Sequence, residues 1–251
     1  MKIYWNITHK ESAQLLCSKR TLLWLLAYSG LLSTFSLLLV SDTELSLLDN
    51  AQVVYLMTGT ILAVGSLIAA VLGSDSYAGE RERGTLTPLL CAPVGPNALL
   101  AGKGLGLLMA WGVMFVMAMP YLWAVGQGGQ NLGQAVFCLA LLGTPVVLGY
   151  GCLAMALSAR TGSVVLSLLS TVTVLTISAI PLLLGPSLRM SAIGHVFDAV
   201  NPFAGALNSL DSVIIDSEPF GAQAARLLLV ATWLGVCLLA ARRSTARVKF
   251  Q

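Results

Sequence analysis

DSYAGERERGTLTPLLCAPVGPNALLAGK, residues 75–103, is the long charged connection between two apolar runs of membrane-spanning length. Of the 14 basic and 11 acidic residues in the chain, six fall in this stretch: Asp75, Glu80, Arg81, Glu82, Arg83 and Lys103. Residues 78–83 are predicted to continue the preceding helix until Gly84 ends it, and Thr85 or Thr87 to cap a short helix before Pro93. A charged segment held between two spanning helices is a surface on which a soluble protein can push.

The composition identifies a membrane protein. Hydrophobic residues make up 57% and charged residues only 10%, whereas an ordinary globular domain has roughly 25% charged residues. A net charge of +3 is too small to indicate a nucleic-acid partner. The five cysteines are scattered without a CxxC pair, and the two histidines have no partner, so the sequence indicates neither a disulfide framework nor a metal site.

The fold class predicted is an all-α polytopic membrane protein with a single transmembrane domain over residues 1–251. Six spans are expected, at about residues 21–40, 53–73, 104–126, 135–157, 164–185 and 222–241. Each of the first five has about 20 residues or more, which at 1.5 Å per residue crosses a hydrocarbon core of roughly 30 Å. The sixth is weaker, because residues 227–241 are short and Arg226 must snorkel outward. Five spans with a peripheral sixth helix is the alternative.

The distribution of Lys and Arg predicts the orientation. Basic residues concentrate in residues 1–20, in residues 74–103, at Arg160 and in residues 242–249, all on one side of the predicted spans. On the other side, only Arg189 and Arg226 are basic. Both termini and the 75–103 loop are therefore expected to face the cytosol, with the protein in the inner (cytoplasmic) membrane.

Two segments flank the spans without crossing. Residues 1–20 mix lysines with aromatic residues and are predicted to be either an interfacial helix or a basic lead-in that fixes topology. Residues 187–221 are extracytoplasmic but too apolar for a solvated loop, and the Asn201-Pro202-Phe203 step divides them. Short re-entrant or amphipathic helices are expected here, with a small extracellular cap as the alternative.

Catalytic and ion-coupling signatures are absent from the sequence. It contains no HExxH, no GxSxG and no GxxxxGK[ST], so we expect no enzyme activity and no ATP site of its own. No charged residue falls inside the first five predicted spans, which argues against a proton-coupled carrier. A transport protein of this kind must take its energy from a partner.

Two stripes leave alternatives open. Ser163, Ser167, Ser170, Thr171 and Ser178 recur at helical spacing in the fifth span, which is typical of a packing or dimer face and compatible with a substrate path. Methionines crowd the third span, at residues 109, 114, 117 and 119. They allow a soft-metal pathway, but pliable apolar packing is the interpretation we adopt, with no metal site.

The charged stretch resembles the permease subunits of the type-2 ABC transporter family. Their hallmark is acidic–x–acidic–x–Gly–Thr–Leu–x–x–Leu–Leu, then a Pro and a Lys entering the third span. The matching residues are Glu80, Glu82, Gly84, Thr85, Leu86, Leu89, Leu90, Pro93 and Lys103, with Arg81 and Arg83 between the acidic positions. His9-Lys10-Glu11 is similar to a motif of the family's N-terminal helix, and a subgroup serving nitrous-oxide-reductase maturation is similar in size and motif.

The resemblance implies the permease of an ATP-driven exporter that forms a homodimer, or pairs with a homologous permease. Separate ATPase subunits would carry ATP and Mg, and this chain would bind no cofactor. Residues 80–103 would couple to the ATPase, with residues 85–91 as the coupling helix, residues 1–20 as the connecting helix and residues 201–203 near an external gate. The alternative is an ATPase-coupled membrane anchor that moves no solute and acts on an extracytoplasmic partner. The substrate is not identified by the resemblance.

Overall fold

The computed structural model describes residues 19–41, 50–87, 95–126, 131–183, 196 and 199–248. Every regular element in these ranges is helical, which confirms the all-α class. The helices are α1 (Lys19–Ser41), α2 (Asn50–Glu82), α3 (Pro96–Gly126), α4 (Leu132–Thr161), α5 (Val164–Leu183), α6 (Pro202–Ile214) and α7 (Ala224–Thr245), the last preceded by a 3-10 turn, Phe220–Gln223. One π-helical turn interrupts α2 at Asp75–Gly79 and another interrupts α4 at Leu139–Gly143.

Five helices of the described chain are long and apolar enough to cross a membrane: α1, α2, α3, α4 and α7 with its 3-10 turn. The chain is therefore a multi-pass membrane protein. The exact set of six spans stays a prediction. Phe220–Thr245, which contains the sixth predicted span, has 26 residues, and the apolar part of α5 within the described residues is Val164–Ile180. Arg226 is accommodated at the start of α7 because its guanidinium donates to Gln223 Oε1 at 2.7 Å.

Helices α2 and α4 form the centre of the protein. About 61% of the apolar window of α2 and 56% of that of α4 is buried, against 22% for α1 and 17% for α7, which places α1 and α7 at the margin. Small residues allow the central pair to approach closely. A Cβ added at Gly73 of α2 would collide with the Gly151 carbonyl oxygen of α4 and would lie 2.8 Å from the Ala154 Cβ.

The short helix α6 is packed among the longer helices. Ten of its residues, from Pro202 to Ile214, are buried, and it contacts α2, α5 and α7. With 13 residues it reaches about 20 Å, too short for a crossing. Residues 1–18, 42–49, 88–94 and 184–195 lie outside the described residues, so the predicted interfacial helix, the distal part of the predicted coupling helix and the first half of the 187–221 segment stay predictions.

The α2–α4 contact yields a stability prediction. Gly73→Ala places a methyl group against a backbone carbonyl that cannot turn away, so we expect a loss of about 1–3 kcal/mol, measured by thermal unfolding in mild detergent. Gly112→Ala in α3 is the matched control, because a Cβ there meets nothing within 4 Å. Equal midpoints for Gly73→Ala and the wild type would show that α2 and α4 do not pack as described.

Candidate functional site

The π-helical turn of α2 is held by a serine from α4. A π turn shifts the backbone hydrogen bonds from i−4 to i−5, so groups beside it lose their α-helical partners. The Ser158 hydroxyl donates to the Ser74 carbonyl oxygen at 2.7 Å. The Ser158 hydroxyl oxygen itself accepts from the backbone N–H groups of Ala78 at 2.8 Å and Tyr77 at 3.2 Å. One donor and two acceptor lone pairs are all that a hydroxyl has, and Ser158 uses all three.

A buried ion pair joins this turn to α3. Lys103 Nζ lies 2.8 Å from Glu80 Oε1, and the side chains are only 3% and 7% exposed. Nζ also donates to the Ser76 carbonyl oxygen at 2.8 Å, which is a backbone group of the π turn. The ammonium group lies 5.2 Å from the centre of the Tyr77 ring, within cation–π range. Lys103 therefore binds a carboxylate, a carbonyl and an aromatic face of the same segment.

Two further helices reach the same place. Thr245 of α7 donates its hydroxyl to the Tyr77 hydroxyl oxygen at 3.0 Å. Ser167 of α5 donates to the Ala154 carbonyl oxygen at 3.0 Å, and its Oγ lies 3.3 Å from Ser74 Oγ. We call this set the polar junction, which consists of Ser74, Ser76, Tyr77, Ala78, Glu80, Lys103, Ser158, Ser167 and Thr245. It joins α2 to α3, α4, α5 and α7.

The next residues of the segment lie closer to solvent. Arg83 NH1 contacts both carboxylate oxygens of Asp75 at 3.1 Å, with each side chain about one-third exposed. The Asp75 carboxylate occupies the space where a side chain at Gly79 would project, so a Cβ there would collide with it. An ion pair this exposed contributes little to stability. The Asp75–Arg83 pair lies where the charged segment reaches the protein surface.

Arg81 and Glu82 contact the turn between α4 and α5. Gly162, with φ +68°, is the left-handed C-cap of α4, and a Cβ there would collide with the Arg81 guanidinium. The Glu82 carboxylate accepts a hydrogen bond from the backbone N–H of Val164 at 3.0 Å. Val164 begins α5, so the negative charge of Glu82 lies at the positive end of that helix dipole.

The chain then turns into the exposed part of the predicted coupling region. Gly84 has φ +71°, a conformation that glycine adopts without strain. Thr85 donates to the Glu80 carbonyl oxygen through both its backbone N–H and its hydroxyl. Leu86 is buried, at 6% exposure, while Thr85 and Thr87 are exposed. The predicted coupling residues Leu89, Leu90 and Pro93 lie outside the described residues.

The hydroxyl stripe predicted on α5 does not form one open face. Ser167 and Thr171 have no exposed surface, because they face α2 and α4 of the same chain. Ser163, Ser170 and Ser178 are only partly buried. The stripe therefore has an inner part, Ser167 and Thr171, that packs within the protomer and an outer part at its margin, and its role as a dimer face or a substrate path stays a prediction. The exposed side chains of α5 are a different set: Val165, Leu166, Leu169, Thr173, Thr176, Ile177 and Ile180.

The predicted external residues are buried and bonded. The Asn201 side-chain oxygen accepts from the backbone N–H groups of Phe203 at 3.0 Å and Ala204 at 3.3 Å, so Asn201 is the N-cap of α6. Pro202 follows at the first helical position, where its missing N–H has no partner to lose. The other end of the Asn201 amide donates to the Ser178 carbonyl oxygen of α5.

Sequence reasoning missed Ser158 and Thr245. Neither belongs to a charged motif, and a serine or threonine near the end of an apolar span carries no signal of its own. In the part of the chain that the structure describes, no three His, Cys, Asp or Glu residues come together as metal ligands. Of the methionines in α3, Met114 is fully buried and Met109 is 41% exposed, so these two do not share a face.

Comparison with known proteins identifies the class of this helical membrane protein. The family of ABC-2 family transporter proteins matches residues 5–244. The chain belongs to this family, whose members are ABC transporter membrane proteins.

Two relatives carry the same printed name, probable ABC transporter permease protein NosY. The protein of Stutzerimonas stutzeri is 33% identical over 159 residues, which cover 59% of this chain and 50% of that protein. The protein of Pseudomonas aeruginosa is 37% identical over 114 residues, covering 42% of this chain and 39% of that protein. The matched part of the chain spans half or less of each relative's length.

The Glu80–Lys103 pair yields a prediction with an internal control. Lys103→Met leaves a buried carboxylate without its cation, so we expect a loss of about 3–5 kcal/mol, and the double variant Glu80→Gln/Lys103→Met should recover most of it. The readout is thermal unfolding in detergent. Arg83→Met, which breaks the exposed pair with Asp75, should cost less than about 1 kcal/mol. A double variant no more stable than Lys103→Met would contradict the pairing.

Proposed function

We propose that this chain is the permease subunit of an ATP-driven exporter of the inner (cytoplasmic) membrane, with both termini in the cytosol. Two copies, or one copy and a homologous permease, would bind two separate ATPase subunits, which carry ATP and Mg. Residues 85–91 would dock on the ATPase, and closure of the nucleotide-bound ATPase pair would move the helices and carry a substrate outward. This chain would bind no cofactor itself.

The observation that carries the proposal is the polar junction. The exposed residues Gly84, Thr85 and Thr87 follow directly on a segment that Lys103 and Ser158 fix to α3 and α4. A displacement applied at an exposed surface is transmitted as a rigid-body movement only when that surface is attached stiffly to the helices behind it. Buried charge-assisted hydrogen bonds supply such an attachment, because breaking one leaves an unpaired buried group. Membership of the ABC-2 family supports an ATPase subunit as the partner that would apply this displacement.

The docking surface can be tested by co-purification. Thr87→Arg adds a long charged side chain to an exposed position of the predicted coupling region, so we expect it to abolish recovery of the ATPase subunit from mild detergent while the permease still elutes as a folded protein. Asp216→Arg, exposed in the connection between α6 and α7, is the matched control and should retain the ATPase. Full recovery of ATPase with Thr87→Arg would exclude this surface from docking. A wild-type chain that carries no ATPase would contradict the function itself.

The second candidate is a membrane anchor that transmits force to an extracytoplasmic partner without moving a solute. The burial of Ser167 and Thr171 favours it, because those hydroxyls were the candidates for lining a substrate path. Under the exporter proposal, the path must instead run along the outer face of α5. Its exposed side chains include Thr173 and Thr176.

The two candidates differ in the water accessibility of that face. For the exporter, we expect Thr173→Cys to react with a small positively charged methanethiosulfonate in the assembled complex, because the reagent enters an aqueous path. Val116→Cys on α3, 67% exposed in the protomer, is the lipid-facing control and should not react. Absence of reaction at Thr173 in every nucleotide state would favour the anchor.

A further inference from the structure

We infer that α5 is the element that carries movement from the docking segment to the outer helix α6, and that Glu82 and Asn201 are the positioning residues at its two ends. This inference rests on the proposed function and adds to it a route through the protein. The route consists of the Glu82 contact with the start of α5, the body of α5, and the Asn201 contact with its far end.

The first contact attaches α5 to the docking segment. Glu82 lies two residues before Gly84, and its carboxylate accepts from the Val164 N–H at 3.0 Å. The first N–H groups of a helix lack partners within the helix, so an acceptor from another segment satisfies one of them. A carboxylate also interacts favourably with the helix dipole. A shift of the docking segment therefore acts directly on the first turn of α5.

The second contact attaches α5 to α6. Asn201 Oδ1 accepts from two N–H groups at the start of α6, so the amide must be oriented with Nδ2 on its other side. Nδ2 donates to the Ser178 carbonyl oxygen at 2.5 Å. Asn201 is 6% exposed, which keeps water from competing for this bond. One side chain thus caps α6 and binds α5.

The structure of α5 allows this helix to move as a rigid body. Val164 and Ser178 are separated by about 21 Å along a continuous helix. Hydroxyls along it donate to its own backbone four residues earlier: Ser170 to Leu166, Thr171 to Ser167, Thr173 to Leu169 and Ser178 to Val174. These four hydroxyls are satisfied inside the helix, so they do not attach α5 to its neighbours; Ser167, close to the start of α5, is the one that bonds to the Ala154 carbonyl oxygen of α4.

The other helices at the junction are less free. The centre of the protein is the closely packed α2–α4 pair, and Ser158 and Lys103 fix the end of α2 to α4 and α3. Moving α2 would require α3 and α4 to move with it. Helix α5 leaves many side chains exposed and joins α4 through the short Gly162–Ser163 turn. It is the element that can shift with the least loss of packing.

The experiment places a probe beyond α6 and asks whether nucleotide on the ATPase changes its reactivity. The permease carries Asp216→Cys, an exposed position, with Cys17→Ser and Cys91→Ser to remove background, since Cys138, Cys152 and Cys237 are buried. The complex with its ATPase is placed in nanodiscs. The rate of reaction with a fluorescein maleimide is compared without nucleotide and with ATP plus vanadate. Only preparations in which the ATPase co-purifies are scored.

We expect the wild-type complex to show a nucleotide-dependent change in labelling rate, and Glu82→Ala and Asn201→Ser each to lose it. Glu82→Gln keeps an acceptor oxygen for Val164 and should restore the response. Asn201→Ser still caps α6 but is too short to reach Ser178. The combined Glu82→Ala/Asn201→Ser variant should lose no more than either alone, because contacts in series are not additive.

Two matched controls exclude a general loss of structure. Arg160→Ala removes a hydrogen bond of 2.9 Å between α4 and α7 at the docking end. Asn131→Ala removes a side-chain amide bond of 2.7 Å to the Ile214 carbonyl oxygen at the outer end. Neither bond involves α5, so both variants should keep the nucleotide response.

A full response in Asn201→Ser, or in Glu82→Ala with ATPase bound, would overturn the inference while leaving the permease function intact. A wild-type complex that hydrolyses ATP without any change at the probe would overturn it as well. Failure of the wild-type chain to bind an ATPase is a separate outcome, which would refute the proposed function and the inference together.

Discussion

The buried pair of Glu80 and Lys103 is the interaction on which the charged end of the helices depends. Removing two charges from water is costly, and the attraction between them offsets that cost only when the remaining polar atoms are also bonded. Here the ammonium group has a carboxylate, a backbone carbonyl and an aromatic ring around it. The pair therefore fixes geometry more than it adds stability: either residue alone would be a buried unpaired charge, and together they allow one arrangement of α2 on α3.

Lys103 binds the π turn as well as its carboxylate partner, because its ammonium group donates to the Ser76 carbonyl oxygen at 2.8 Å. Glu80 and Glu82 point in different directions, since Glu80 is buried and Glu82 is exposed. They are two residues apart, about 200° around a helix, so one faces inward and the other faces the surface. Glu80 enters the polar junction, and Glu82 is left to cap α5.

Much of the architecture follows from composition and periodicity. The all-helical class, the multi-pass arrangement and the position of the charged connection are visible in the apolar runs and in the Gly84 and Pro93 punctuation. The pairing of Glu80 with Lys103 was not predicted, although both belong to one motif, because a contact between residues 23 positions apart depends on how two helices pack. The role of Ser158 could not be predicted from the sequence for a related reason. It depends on the π turn in α2, and no residue type predicts a π turn.

Two further features depend on contacts that a sequence pattern does not show. The sixth predicted span was expected to be weak, with Arg226 snorkelling outward; in the structure Gln223 and Ser212 bind the Arg226 guanidinium, and Phe220–Thr245 is long enough to cross a membrane. The α5 hydroxyls were placed correctly on one stripe, but periodicity cannot tell whether a stripe faces its own protomer or a second copy. Ser167 faces inward, where its hydroxyl donates to the Ala154 carbonyl oxygen of α4 and lies 3.3 Å from Ser74 Oγ of α2, and Thr171, one helical turn on, is buried as well.

The distribution of attachments limits how force can travel through the protein. Residues 74–80 of α2 are fixed at three buried points, Ser158, Lys103 and Thr245, each on a different helix, so this segment cannot bend locally without leaving buried polar groups unpaired. Energy delivered there must appear as relative movement of whole helices. Helices α2 and α4 resist such movement because their backbones interlock through glycines. Relative movement is therefore expected in a helix that has few buried side chains and whose polar contacts to its neighbours lie near its ends. Helix α5 meets both conditions.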